Sequence, residues 1–230
     1  MPAAQSKRAA VGIGNTMGDS VPSYHAMSDH VRYARAAQHA LAINKEGDHE
    51  LFDVVDDDDR VLGRMRRNDV HRWQLRHRAA HVLVVNSRGE VFVQRRSTLK
   101  ECAPGLWDTS VAGHVQSGES YAACAVRELA EEIGLPPATP LCQVGYLKAS
   151  PDTGWEFVAV FLCRSDGPLV LCPEEIADGR WTSPETLAQW MIDRPEEFTM
   201  TFRLIGARSR EWLRDSQRPA EIPPNARTHG

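Results

Sequence analysis

The stretch from Glu119 to Ile133 reads as a helix with two incompatible faces, and no other feature constrains the rest of the chain as tightly. Ala122, Ala125, Val126, Leu129 and Ile133 recur at the spacing that lines one side of a helix, so that side must be buried. Glu128, Glu131 and Glu132 stand at i, i+3 and i+4 and project three carboxylates from another side. Gly134 ends the helix, and Pro136-Pro137 cannot continue it. Such a helix needs an apolar surface beneath it and positive charge above it.

The surface is available as strands. His81 to Val85 is an apolar run, Asn86-Ser87-Arg88-Gly89 is turn chemistry, and Val91 to Gln94 resumes the strand. A second hairpin is expected from Leu51 to Val55 and Arg60 to Arg64 around Asp56 to Asp59. Further strands are expected at 141–148, 156–163 and 179–182, with a short one entering Gly113. Asn68 or Asp69 caps a short helix through Leu75, Ser183-Pro184-Glu185 starts another, and Thr199 to Leu213 forms a closing one. Strands mixed with helices predict an α/β (α+β) architecture, with the sheet sandwiched between helices. The folded body is placed at 49–214, between an extension, 1–48, and a tail, 215–230, both expected to lack fixed structure over much of their length. Within the extension, Ser28-Asp29 caps a helix from His30 toward Asn44 whose apolar stripe, Val31, Ala34 and Leu41, is thin.

Several function classes fall away. Acidic residues number 31 against 27 basic ones, a net charge of −4, so no global field draws the chain onto a nucleic-acid polymer. Arg64, Arg66, Arg67, Arg72, Arg76 and Arg78 crowd one stretch, read either as a solvated surface or as a rim that steers an anionic substrate. The 5 cysteines form no C-x-x-C pair and read as reduced thiols of a cytoplasmic protein. The longest apolar run, Phe157 to Cys163, is too short to cross a bilayer, and no signal-peptide core is present near the start. Oligomeric state is not legible, with a homodimer left open.

Three carboxylates on adjacent turns repel one another, so a hard dication, Mg²⁺ or alternatively Mn²⁺, is the natural occupant. Arg127, beside Glu128 and eight positions after Glu119, can pair with these carboxylates and orient them. Gly113 and Gly118 allow the backbone to bend or to approach a ligand closely. An isolated E-x-x-E-E would ordinarily be a solvated acidic face. Here it sits inside G-x5-E-x7-R-E-U-x-E-E-x-G-U, with U aliphatic, running from Gly113 through Glu119 and Arg127 to Leu135. A chance match in a chain of this size is on the order of 10⁻⁷ at average residue usage.

This string resembles the signature of the Nudix hydrolases. The resemblance implies a Nudix fold and a metal-dependent hydrolase of a small-molecule diphosphate. It implies that Glu128, Glu131 and Glu132 hold the metal, with one of them or a glutamate outside the signature as base. The likeness extends over about residues 50 to 213. Leu75 to His81, Gln94 to Ser97, Lys100, Pro104 to Trp107 and Gly113-His114 look like the branch that contains isopentenyl-diphosphate isomerase and hydrolases of the YfcD type.

That branch implies substrate-side roles for five residues. Arg96 and Lys100 match basic positions that hold the diphosphate, or else are ordinary loop cations. His77, His114 and Glu156 match metal ligands of the isomerase, although Gly154 stands where it has another carboxylate; core and pocket-wall histidines are the alternative. Ala112 occupies the position of the isomerase's catalytic cysteine and offers no proton, which turns the expectation from isomerisation to hydrolysis. Isomerase activity and a non-catalytic diphosphate sensor remain the competing readings.

Overall fold

The computed structural model describes residues 28–42 and 50–215. The expected loose stretches at 1–27, 43–48 and 216–230 lie outside the described residues. Both expected hairpins form. β1 (Leu51–Val55) and β2 (Val61–Arg66) make a two-stranded sheet, with the four aspartates in its turn. β3 (His77–Val85) and β4 (Val91–Arg96) lie at the centre of a larger, seven-stranded sheet. Its other members are β5 (Trp107–Asp108), β6 (Val111–His114), β7 (Leu141–Leu147), β8 (Glu156–Arg164) and β9 (Ile176–Thr182). The path runs β5-β4-β3-β8-β7, with β6 on β3 and β9 on β4. β3 and β8 are parallel and the other pairs antiparallel, so the sheet is mixed as expected.

One detail of pairing creates the working cavity. Along one edge, β3 pairs with β4 at Val84 and Val85 but with β6 from Ala79 to Val82. The edge is thus handed from one partner to another, and β4 and β6 diverge. In the opening between them lies a cavity of about 660 Å³. Backbone groups released by the split find side chains: Ser110 Oγ accepts from Val84 N (2.7 Å) and donates to the Phe92 carbonyl (2.5 Å).

Each face of the large sheet is covered. α3 (Tyr121–Ile133) packs Cys124, Ala125, Leu129 and Ile133 against Ala80, Val82, Val84 and Phe161. On the other face, α4 (Pro184–Asp193) and α5 (Met200–Asp215) bring Leu187, Phe202 and Ile205 onto Ala79, Leu83, Val158 and Val160. The alternation along β3 that sends Ala80 one way and Ala79 the other is the period-2 geometry of a strand.

Three local expectations are corrected. α3 begins at Tyr121 rather than Glu119, because Ser120 is the N-cap and its hydroxyl accepts from Ala123 N at 3.1 Å. Its buried side is rotated accordingly: Cys124 is buried whereas Ala122 is exposed. α2 (Arg67–Arg72) has Arg66 at its N-cap with no side-chain bond, so neither Asn68 nor Asp69 caps it. In α1 (Asp29–Ala42), Val31 and Ala34 face outward, while Ala36 and the partly buried Tyr33 and Ala37 pack on Phe52, Met65, Val70 and Leu75. The helix is therefore held by a stripe that starts two positions after Val31. The side chain of Leu41, third in the expected stripe, and Asn44, the expected end, lie outside the described residues.

Candidate active site

The three signature glutamates occupy a gradient of burial on α3. Glu131 is exposed, Glu128 is partly covered, and Glu132 is 3 % exposed and accepts a hydrogen bond from Gln94 Nε2 at 3.0 Å. Burial, with Glu128 and Glu175 adding like charge, pushes the Glu132 carboxyl up to about 8. Burial raises Glu128 too, against the pull of Arg127. An acidic cluster held this far from its ordinary protonation range is poised to accept a cation.

Arg127 is the hub that arranges it. Its Nε donates to Glu119 Oε1 (3.0 Å), and Nη1 donates to Glu128 Oε1 (2.7 Å) and Glu131 Oε2 (3.1 Å). Nη2 donates to Glu119 Oε2 and to the His114 carbonyl, both at 3.1 Å. Glu119, expected at the start of the helix, instead precedes it and closes the turn by accepting from Gln116 N at 3.0 Å. Gly113 is required beneath this arrangement. A Cβ there would fall 2.0 Å from Glu128 Oε1, so only glycine lets the carboxylate lie against β6.

Opposite the glutamates stand the histidines. His77 Nδ1 bonds to the Leu75 carbonyl (2.9 Å), which leaves Nε2 facing Glu156 Oε1 at 3.6 Å. His114 Nε2 lies 3.0 Å from the same Glu156 oxygen. Glu156 is partly buried, which raises its carboxyl, but the hydrogen bond with His114 and the proximity of both imidazoles outweigh this and hold it well below the usual carboxylate range. The Phe52 ring stacks on both, at centroid distances of 5.6 and 4.8 Å.

His71 on α2 completes the group, and sequence reasoning missed it. Its ligand nitrogen, with those of His77 and His114, forms a set lying within 4.8 Å of one another. Burial lowers its pKa to about 3, so it carries a lone pair at neutral pH. His71 Nε2 and His77 Nε2 are buried and lack a hydrogen-bond partner among the described residues. Orphaned lone pairs this close together fit a borderline or hard cation. The available sequence signal was the pair His71 and His77 on either side of a short helix end.

Both halves open on the same cavity between β4 and β6. Its lining includes Glu128, Glu131, Glu132, His71, His114 and Glu156, together with Arg67, Arg96 and Lys100. Both expected phosphate binders therefore face the site. Each is held by a carboxylate: Arg96 Nη1 meets Asp108 Oδ2 at 3.3 Å, and Lys100 Nζ meets Glu175. Glu175, outside the signature, lines the same cavity, as do Glu50 and Glu156, and its charge acts on Glu132. Of the crowded arginines only Arg67 lines the cavity; Arg76 pairs with Asp29, and Arg78 with Asp59 at 2.6 Å.

The cysteines are free thiols, and among the described residues no helix is long and apolar enough to cross a membrane.

Comparison with known proteins agrees with the geometry. The NUDIX domain family model matches residues 75–202. The chain is 40% identical over 145 residues to the uncharacterized Nudix hydrolase PA4841 of Pseudomonas aeruginosa, covering 63% of this chain and 85% of that one. It is 31% identical over 150 residues to the Nudix hydrolase YfcD of Escherichia coli K12, covering 65% and 81%. It is 34% identical over 161 residues to an isopentenyl-diphosphate Delta-isomerase of Serratia proteamaculans, covering 68% and 89%. Among solved structures, DR0079 from Deinococcus radiodurans superposes with a TM-score of 0.62 at 31% identity, covering 69% of this chain and 98% of that one. With the signature helix seated under a split mixed sheet and the family model spanning more than half its length, this chain belongs to the Nudix family, whose hydrolases cleave diphosphate linkages.

Proposed function

We propose that the chain hydrolyses the phosphoanhydride bond of a small organic diphosphate, a nucleoside-diphosphate-linked compound being the leading class, with Mg²⁺ (or Mn²⁺) as cofactor. The observation that carries this reading is the convergence of Glu128, Glu131, Glu132 and Glu175 with Arg96 and Lys100 on one cavity. Glu128, Glu131 and Glu132 would hold the cation, and the room made for Glu128 by Gly113 fits that role. A second cation fits His71, His77, His114 and Glu156, whose orphaned nitrogens ask for one. A bound dication neutralises phosphate oxygens and makes water a stronger nucleophile.

The chain's own groups do the rest. Arg127 positions Glu128 and Glu131 through its fork and keeps their carboxylates from turning away. Lys100 and Arg96 bind the diphosphate oxygens, exchanging part of their contact with Glu175 and Asp108 for the substrate. Freed from Lys100, Glu175 accepts the proton of the attacking water. We place the functional unit at residues 49–214, with the N-terminal extension laid against it through α1, acting in the cytoplasm on small molecules.

Mg²⁺-dependent phosphate or monophosphate release is measured on nucleoside diphosphate derivatives, dinucleotides and prenyl diphosphates. Turnover of at least one class, lost in Glu132→Gln, is expected; no turnover on any, with the variant indistinguishable from wild type, sinks the proposal. A second reading, isomerisation of isopentenyl diphosphate, draws on the histidine cluster. Against it, Ala112 presents only a methyl group to the cavity. An NMR search for the dimethylallyl isomer decides between them.

A further inference from the structure

His81 is a buried histidine that neither the glutamates nor the metal-ligand set uses. It lies on β3 directly across from Ala112 on β6, on the sheet face that also carries Ala79. It is 4 % exposed, and that remaining surface lines the cavity. The flanking Ala79 and Ala112, both in the cavity wall, leave free space beside the ring.

A chain of hydrogen bonds sets the orientation of its protons. Thr109 Oγ1 has one hydrogen and donates it to the Val111 carbonyl at 3.0 Å. It can then only accept from His81 Nδ1, 2.9 Å away. The proton of the neutral imidazole therefore sits on Nδ1, and Nε2 keeps its lone pair. Burial lowers the pKa of the ring, which keeps it neutral. Asp108 does not compete for Nδ1. Its Oδ1 is 3.9 Å away and already accepts from Thr109 N (2.8 Å) and Thr199 Oγ1 (3.0 Å), while Oδ2 takes Arg96.

A lone pair in a cavity wall repels phosphate oxygens and gains nothing from hydrocarbon. It needs a donor. We propose that His81 Nε2 is a specificity determinant, accepting a hydrogen bond from a hydroxyl of the organic group attached to the diphosphate, so that the site takes polyol-like moieties such as a sugar in preference to hydrocarbon ones. This deepens the hydrolase reading and rests on it for the placement of the diphosphate. The surroundings agree with a hydroxylated guest: Thr199 and Thr201 of the cavity lining are hydroxyl residues, and Arg96 stands next to Asp108. A site built around a buried acceptor discriminates against a ligand that lacks the donor, because the acceptor is then left desolvated and unpaired.

The test compares matched pairs. ADP and UDP are set against their 2′,3′-dideoxy counterparts, with isopentenyl diphosphate as the hydrocarbon diphosphate. Kd is measured by calorimetry with and without Mg²⁺, and KM and kcat wherever turnover occurs. Wild type is expected to favour the hydroxylated member by about tenfold or more. His81→Leu should bring that ratio to within about threefold by weakening the hydroxylated ligand alone. His81→Gln keeps an acceptor and should retain much of the preference. Thr109→Val leaves the imidazole in place but releases its tautomer, and should lose part of it. Equal affinity for both members in wild type, no measurable binding of either, or equal weakening of both by His81→Leu overturns the proposal. A preserved hydroxyl preference in binding with no hydrolysis of any diphosphate overturns the hydrolase reading and leaves His81 in its role.

Discussion

The proton on Glu132 makes the stability of the cation-free protein depend on pH in an unusual direction. Raised from 4.5 to about 8, this carboxyl keeps a proton in the folded chain that the unfolded chain releases. Its contribution is therefore fully present below the unfolded pKa and is lost as pH rises through the folded one. Buried histidines act oppositely. His71, lowered to about 3, and His81 and His114, lowered as well, bind protons less readily folded than unfolded, so they raise stability as pH rises toward about 6.5. Between pH 6.5 and 8 the Glu132 contribution dominates among the described residues, with Glu128, which is raised, acting in the same direction.

One proton corresponds to about 1.36 kcal/mol per pH unit, so stability should fall by about 2 kcal/mol across that interval. For a domain of this size the midpoint of thermal unfolding drops by about 4–8 °C. Chelator-treated protein is unfolded by heat and by urea at pH 6.5, 7, 7.5 and 8, beside Glu132→Gln. The variant should lose most of the slope, because an amide releases no proton. Adding Mg²⁺ should stabilise wild type more at pH 8 than at pH 6.5, since cation and proton compete for the same carboxylate. Flat or rising stability from pH 6.5 to 8, or an unchanged slope in Glu132→Gln, refutes the reasoning.

Three further perturbations test the arrangement around the cavity. Gly113→Ala inserts a Cβ 2.0 Å from Glu128 Oε1, so Glu128 must move; kcat should fall by about 100-fold, with about 1–3 kcal/mol of stability lost by overpacking, read by initial rates and urea titration. Arg127→Lys keeps the charge but loses the fork to Glu119, Glu128 and Glu131; the Mg²⁺ concentration for half-maximal activity should rise by about 10–100-fold, and an unchanged metal dependence counts against an orienting role. Arg32 of α1 donates to the Trp73 carbonyl at 3.2 Å and to that of Gln74, and its guanidinium lies 4.8 Å from the Trp155 ring centre. Arg32→Ala should therefore loosen both the turn after His71 and the loop before Glu156, changing tryptophan fluorescence and lowering stability by about 1.5–3 kcal/mol.

What could be read without coordinates was local or periodic. The helix with its Glu128, Glu131 and Glu132 face, the hairpin around Asn86 to Gly89 and the stop at Gly134 all follow from spacing and turn chemistry, because those forces act within a few residues. The signature string then carried the family, since its fixed residues serve one arrangement of carboxylates, the arginine that pairs with them and the glycine beneath them. Tertiary structure alone decided which distant groups share a cavity. β3 changes partner from β4 to β6, and that opening brings Lys100 and Glu175 toward α3 and sets His81 beside Ala112. His71 joined the histidines only when α2 folded back over Phe52, and α1 packed through Ala36 and Arg32 rather than through Val31 and Ala34. Contacts of this kind depend on which elements meet and at what register, and a one-residue shift of a strand turns each side chain to the opposite face. A periodic pattern specifies that a face is buried, and only the packed chain specifies what it is buried against.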